Sequence, residues 1–150
     1  MNVSLKELIE TGRFGSVRLG MSRAQIESSL GAPDDVGGAS RKYLAPSIWK
    51  YGDVELHFVP GADSLCLIYL DEFDIPSGGK LVNFDPWVIR RSLTVSEAEE
   101  QLSQSGIGYE VGDYELEDNA KCIIAGVGVK LIFIGESLSL RVVSFTQPAI

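Results

Sequence analysis

The amino-acid sequence predicts an α+β fold in which capped helices pack on one face of antiparallel meander sheets. At three places a Ser or Thr helix cap precedes a short segment with apolar residues at helical spacing. Elsewhere, short runs rich in β-branched and aromatic residues follow one another, separated by brief turns that contain glycine. Strands joined by such brief turns are antiparallel neighbours, because a parallel connection needs a long crossover.

Length and composition are typical of one globular domain. The chain has 150 residues, of which 45% are hydrophobic and 23% charged. A domain of this size buries enough surface to fold without a disulfide or a metal ion. We therefore expect a single domain over residues 1–150, with two similar halves at about 1–76 and 77–150, divided near a Pro- and Gly-rich stretch.

The three helices are predicted from capping boxes, in which a Ser or Thr is followed three residues later by Glu or Gln. A glycine after each apolar segment marks the helix end. The boxes and stops are Ser4 to Glu7 before Gly12, Ser22 to Gln25 before Gly31, and Thr94 to Glu97 before Gly106.

The strands are predicted from apolar runs between turns, and the stretch Asp34 to Ala39 is predicted to be a loop because it is polar and Gly-rich. In each half a capped helix precedes a meander, at an offset of about 72–75 residues, which predicts a tandem pseudo-repeat. The predicted strands are Ile48 to Tyr51, Val54 to Val59, Leu65 to Leu70, Ile107 to Val111, Lys121 to Ala125, Val129 to Ile134 and Leu138 to Phe145.

Turn positions predict the register of the first meander. A turn at Gly52-Asp53 and a symmetric turn at Pro60 to Asp63 divide its side chains between two faces. The predicted core face contains Trp49, Tyr51, Val54, Leu56, Phe58, Leu65, Leu67 and Tyr69. The opposite face then contains Ile48, Lys50, Glu55, His57, Cys66, Ile68 and Leu70.

A turn at Gly135-Glu136 predicts the second register in the same way, with Phe133 opposite Leu138. By this alternation Cys122 belongs to the core face, so it should not form a disulfide with Cys66.

The face opposite the core mixes apolar and charged side chains, which suits protein recognition. The alternative interpretation is that the two halves bury these faces against each other, or that they form one continuous sheet partly covered by the N-terminal helix. The predicted contact residues are Ile48, Lys50, Glu55, His57, Ile68 and Leu70 on the sheet, and Asp113, Glu115, Glu117 and Asp118 in an acidic loop.

Charge limits the class of partner. The net charge of −8 disfavours nucleic acid and anionic membranes, both of which need clustered Lys and Arg. The acidity serves either solubility or attraction of a basic protein. No signal peptide is visible, and the longest apolar stretch, Cys122 to Ile134, is too short to span a bilayer. We therefore expect a cytoplasmic protein with free thiols.

Few residues suggest chemistry. His57 is the single histidine, and the predicted register places it opposite Cys66, as in a nucleophile–base pair. An ordinary role in the sheet is the alternative. Neither cysteine has metal-ligand spacing, and no acidic cluster has calcium-loop spacing, so no cofactor or metal is predicted.

Part of the first half resembles a known family. The segments are Val17 to Ile26, then Leu30-Gly31-Ala32-Pro33, then Trp49-Lys50-Tyr51-Gly52. They resemble the helix-then-sheet repeat of the beta-lactamase inhibitor protein-like superfamily, which small bacterial outer-membrane-assembly lipoproteins share. The resemblance implies a non-enzymatic binder that holds its partner with a sheet face and loops. Unlike those lipoproteins, the chain is expected to have neither an export signal nor a lipidation cysteine. In size and charge it is also similar to small acidic bacterial immunity proteins.

These observations favour a non-enzymatic protein-binding module, such as an inhibitor or a toxin-immunity protein. A small enzyme or ligand-binding protein that uses His57 and Cys66 is one alternative. A homo-oligomeric structural protein, for example a homodimer, is another.

Overall fold

The computed structural model describes residues 2–81 and 83–146. In this part of the chain, three helices accompany an eight-stranded antiparallel sheet and a two-stranded parallel sheet. The α+β class predicted from the sequence is therefore confirmed. Residues 1, 82 and 147–150, which the predicted domain includes, lie outside this description.

The three helices begin at the predicted caps. They are α1 (Leu5–Thr11), α2 (Arg23–Leu30) and α3 (Val95–Gln104). Ser22 and Thr94 form complete capping boxes, whereas Ser4 only accepts the Glu7 N–H, at 3.3 Å. Within residues 2–81 and 83–146, no helix is both long and apolar enough to cross a bilayer.

The large sheet combines strands from both halves of the chain. Two short strands, β1 and β6, instead pair with each other in parallel. The strands are β1 (Val3–Ser4), β2 (Asp35–Gly37), β3 (Ile48–Tyr51), β4 (Val54–Phe58), β5 (Leu65–Leu70), β6 (Phe84–Asp85), β7 (Tyr109–Asp113), β8 (Lys121–Ala125), β9 (Val129–Ile134) and β10 (Ser139–Thr146). In the large sheet their order is β2-β3-β4-β5-β10-β9-β8-β7.

This order places the last strand of each meander, β5 and β10, side by side at the centre of the sheet. The tandem pseudo-repeat itself stays a prediction. Strand β2 corrects the predicted loop at Asp34 to Ala39, because Val36 pairs with Trp49 of β3. A free neighbouring edge overrides the low strand propensity of a polar, Gly-rich segment.

All three helices pack on the same face of the sheet, where the hydrophobic core lies. Leu8 of α1, Ile26 of α2 and Leu102 of α3 belong to one buried cluster with core-face strand residues such as Leu56 and Leu131. This agrees with the expectation that an apolar sheet face must be covered by helices.

A bulge in β5 changes the predicted register. Phe58 pairs with Leu65 as predicted, but His57 pairs with Leu67, and Leu56 with Ile68. Cys66 is thus an extra residue in β5, and every later side chain of the strand changes face. Leu67 and Tyr69, predicted to lie in the core, are on the opposite side.

The second meander also departs from its predicted register. Phe133 pairs with Leu140 rather than Leu138, because the turn is longer than two residues. A second irregularity follows in β10, between Leu140 and Val142. Cys122 pairs with Ile132 and lies on the face opposite the core, so its predicted core placement is wrong.

Candidate protein-binding face

The side of the large sheet away from the helices is here named the open face. It is defined by side chains that alternate with the core residues on six of the eight strands. They are Ile48, Lys50, Glu55, His57, Leu67, Tyr69, Cys122, Ile124, Lys130, Ile132, Ile134, Val142 and Ser144. All are partly or largely exposed except Ile132, which is 6% exposed.

One row of side chains crosses the open face from strand to strand. Lys50 lies opposite Glu55, Glu55 opposite Tyr69, Tyr69 opposite Ser144, and Ser144 opposite Lys130. Paired residues on one face of an antiparallel sheet are in contact range, so this row sets a positive, a negative and a second positive group around a tyrosine. The charges are thus interleaved rather than gathered into a field of one sign.

Apolar side chains flank this row on both sides. His57 separates Ile48 from Leu67 on one side. On the other, Val142 pairs with Ile132. An antiparallel sheet with one solvated face usually has polar residues there. This face instead has aliphatic groups in both halves of the sheet.

Tyr69 is the centre of a polar cluster on the open face. Its ring meets His57 edge-on at 5.9 Å between ring centroids, and its hydroxyl bonds the Asp71 carboxylate at 3.4 Å. Burial, then the negative charges of Asp71 and Glu55 and the nearby Tyr114, raise the pKa of Tyr69. The hydroxyl therefore stays protonated and donates to Asp71, which leaves its oxygen lone pairs as hydrogen-bond acceptors.

Of the six contact residues predicted on the sheet, four lie on the open face and two do not. Ile48, Lys50, Glu55 and His57 are there, partly buried. Ile68 and Leu70 are fully buried in the core, at 0% exposure, and cannot touch a partner. The physical reason is the extra residue Cys66, after which each side chain of β5 points to the face opposite to the one predicted.

The predicted pairing of His57 with Cys66 is also changed by the bulge. The His57 Nε2 atom lies 3.0 Å from a Glu55 carboxylate oxygen. The Cys66 thiol donates to the main-chain oxygen of His57 at 3.3 Å, and burial raises the pKa of the thiol. A nucleophilic cysteine needs a lowered pKa and a base directed at its sulfur. Neither condition is met here.

The predicted acidic residues lie beside the β7 end of the sheet. Asp113 ends β7 and pairs with Lys121, which lowers the pKa of the Asp113 carboxyl. Glu115, Glu117 and Asp118 are exposed in the following loop. They line a cavity of about 920 Å³ between that loop and the β9–β10 turn.

Sequence reasoning missed several open-face residues, above all Leu67, Tyr69 and Val142. No local signal marks Leu67 and Tyr69, because β5 reads Leu-Cys-Leu-Ile-Tyr-Leu and is apolar at nearly every position. Val142 changes face at the irregularity between Leu140 and Val142 in β10. Alternation cannot assign such a strand to a face without the position of the bulge.

Within the described residues, no group of three or more His, Cys, Asp or Glu side chains is arranged to hold a metal ion. No protein family, curated protein or solved structure matches this chain.

Proposed function

We propose that this chain is a non-enzymatic protein-binding module and that its partner docks on the open face. One observation carries the proposal: the helices cover one side of an eight-stranded sheet and leave aliphatic side chains on the other. Burying such side chains against a partner gains about 25 cal/mol per Å² of apolar surface.

The composition of the face supports a protein partner. Protein interfaces combine an apolar centre with charged groups that fix orientation and reject wrong partners. Tyr69 and His57 present rigid rings at the centre, while Lys50, Glu55 and Lys130 supply charges of both signs. Tyrosine is enriched among the residues that dominate binding energy.

The proposal extends to the class of inhibitors and toxin-immunity proteins acting in the cytoplasm. The small size and the net charge of −8 support the functional class. The free thiols of Cys66 and Cys122 support the cytoplasmic location, since thiols persist in reducing compartments. The resemblance of the first half to non-enzymatic binders points in the same direction.

A photo-crosslinking amino acid tests where the partner docks. We expect the reactive group at position 67, on the open face, to form an adduct with a protein of the native lysate. The same group at position 28, exposed on α2, serves as the matched control and should form far less.

The adduct at position 67 should also decline when Tyr69 is changed to Ala, in a variant that far-ultraviolet circular dichroism shows to be folded. Equal adducts at both positions, or a Tyr69→Ala variant that binds as the parent does, would contradict the proposal. An adduct of the chain with itself would instead show that the face joins two copies.

A further inference from the structure

The edge strand β7 presents unpaired main-chain groups to solvent. Tyr114 donates its N–H to the Ala120 oxygen at 3.0 Å, and Gly126 donates to Gly108 at 2.9 Å. In an antiparallel ladder the bonded pairs alternate, so the residues between these two points that bond β8 are Glu110 and Gly112. The N–H and C=O groups of Tyr109, Val111 and Asp113 therefore point away from the sheet.

Nothing among the described residues shields this edge. Glu110, Val111, Gly112 and Asp113 are all exposed, and β7 stands at the end of the strand order. The opposite edge, β2, has only three residues, which is one way that proteins prevent strand addition. The five-residue β7 is long enough to pair with an extended segment.

Exposed apolar side chains surround the β7 edge. Val111 and Ile124 are each 43% exposed and Leu116 is 83% exposed. They line a groove of about 380 Å³ that continues onto the open face at Cys122 and Lys130. An added strand would therefore find apolar surface on either side of its backbone.

The charge of the edge indicates which kind of strand fits. Residues 110–118 contain five acidic residues, of which only Asp113 is paired with a lysine. A second copy of β7 would bring the same acids together, and like charges facing each other across strands are destabilising. A basic segment would be attracted instead.

We infer that β7 accepts an extended basic segment of the partner protein, which adds to the sheet as a ninth strand. Its Lys or Arg side chains lie opposite Glu110 and Asp113, and an apolar side chain lies opposite Val111. The inference rests on the proposed protein-binding function and specifies the chemistry of the partner. Main-chain hydrogen bonds supply affinity, and charge supplies selectivity.

A blocked peptide of sequence Lys-Lys-Thr-Val-Lys-Val-Lys tests this inference on the full chain. Amide hydrogen exchange, read by NMR, is the measurement. The Val111 amide should exchange rapidly in the free protein and become at least about tenfold protected with the peptide, because it gains a hydrogen bond. The Gly112 amide, which bonds β8, should be protected in both states and is the internal control.

Two matched peptides separate strand addition from simple charge attraction. A peptide N-methylated on the residues whose N–H groups face β7 keeps every charge but should bind at least about tenfold more weakly. An acidic peptide with Glu in place of Lys should not bind. Equal binding of the methylated peptide, or no change at the Val111 amide, would overturn the inference.

A Val111→Pro variant provides the corresponding change in the protein. Proline removes an N–H that points outward, so the pairing with β8 should survive. We expect peptide affinity to fall about tenfold with the far-ultraviolet circular dichroism unchanged.

A dimer joined through β7 in the parent protein would overturn the inference by showing a second copy as occupant. Failure at β7 while crosslinking at position 67 succeeds would overturn strand addition alone and leave the proposed function standing.

Discussion

At the scale of single residues, Tyr51 joins a strand to a helix end. Its ring is 2% exposed, and its hydroxyl donates to the main-chain oxygen of Gly31 at 2.8 Å. Burial, followed by the negative charges of Glu27 and Asp34, raises the pKa of Tyr51 to about 12. The folded state thus favours the protonated phenol more than the unfolded chain does.

A Tyr51→Phe variant tests this linkage. Near neutral pH the variant should lose about 1 kcal/mol of stability, the usual value of one hydrogen bond. The pKa of Tyr51 is higher in the folded state than its value of 10.0 in the unfolded chain, so the protonated phenol stabilises the fold below about pH 10. This stabilisation is lost as the pH rises from 10 toward about 12. Urea unfolding from about pH 8 to 11 should therefore show the parent losing its advantage over the variant. A constant difference across that range would contradict the assignment.

Single residues also show where sequence reasoning stops. The turn at Gly52-Asp53 alone determines which side chains of β3 and β4 face the core, and Trp49, Leu56 and Phe58 lie there as predicted. In β5 the structure places Leu67 and Ile68 on the faces opposite to those predicted, because Cys66 is an extra residue that the alternation of side chains does not reveal. The charged and histidine members of the open face could be predicted, and its central tyrosine could not.

At the scale of elements, the β3–β4 turn is held by Asp34 and by the linker, residues 76–79, which connects the two halves of the chain. The Asp34 carboxylate accepts the Gly52 N–H at 2.8 Å. Asp53 donates its N–H to the Ser77 oxygen at 2.9 Å, and its carboxylate accepts the Ser77 N–H at 2.8 Å. The two bonds between Asp53 and Ser77 fix the linker on the hairpin without any regular secondary structure.

A Gly52→Ala substitution should therefore cost more than the same change in an open turn. Gly52 has φ of +61°, and an added Cβ would lie 2.3 Å from the Gly79 nitrogen and 2.4 Å from the Ser77 oxygen. Main-chain atoms cannot move aside cheaply, so we expect a loss of at least about 2 kcal/mol in chemical denaturation.

Gly135→Ala is the matched control for this prediction. Gly135 also has a positive φ, +88°, but an added Cβ would meet nothing within 4 Å. Only backbone strain should then appear, about 1 kcal/mol. Similar losses at both glycines would show that the contact between the turn and the linker contributes nothing to stability.

Element positions were largely predictable, since caps and turns are local. The bounds of β3, β5, β8 and β9 agree with the sequence prediction. Strand β2 was not predictable, because Asp35 to Gly37 has no strand pattern of its own and pairs only where β3 offers an edge.

At the scale of the whole molecule, the two halves meet at several places, of which the seam between β5 and β10 lies at the centre of the large sheet. Four residue pairs connect β5 and β10, and two of them, Leu70 with Val143 and Ile68 with Phe145, lie in the core. Helix α1 adds a further connection, since the Val127 N–H bonds the Ile9 oxygen at 3.0 Å, and a Cβ added at Gly12 would lie 3.2 Å from the Phe145 ring. Because neither half buries its side of this seam alone, we expect them to unfold as one cooperative unit.

The two tryptophans report on the two halves separately. A Trp87→Phe variant leaves Trp49 in the first half, and a Trp49→Phe variant leaves Trp87 in the second. In each background the urea midpoint from fluorescence should coincide with that from far-ultraviolet circular dichroism, as an all-or-none transition requires.

Adding Ile68→Ala to both backgrounds makes the test of cooperativity decisive. Ile68 is 0% exposed at the seam, so its truncation should remove about 2–5 kcal/mol of stability. Since the seam belongs to both halves, both tryptophans should report the same loss, although the mutation lies in only one of them. Leu67→Ala, one position away on the open face, is the control and should cost below about 1 kcal/mol. A shift seen by Trp49 and not by Trp87 would mean that the halves unfold independently and that the central strand pair does not couple them.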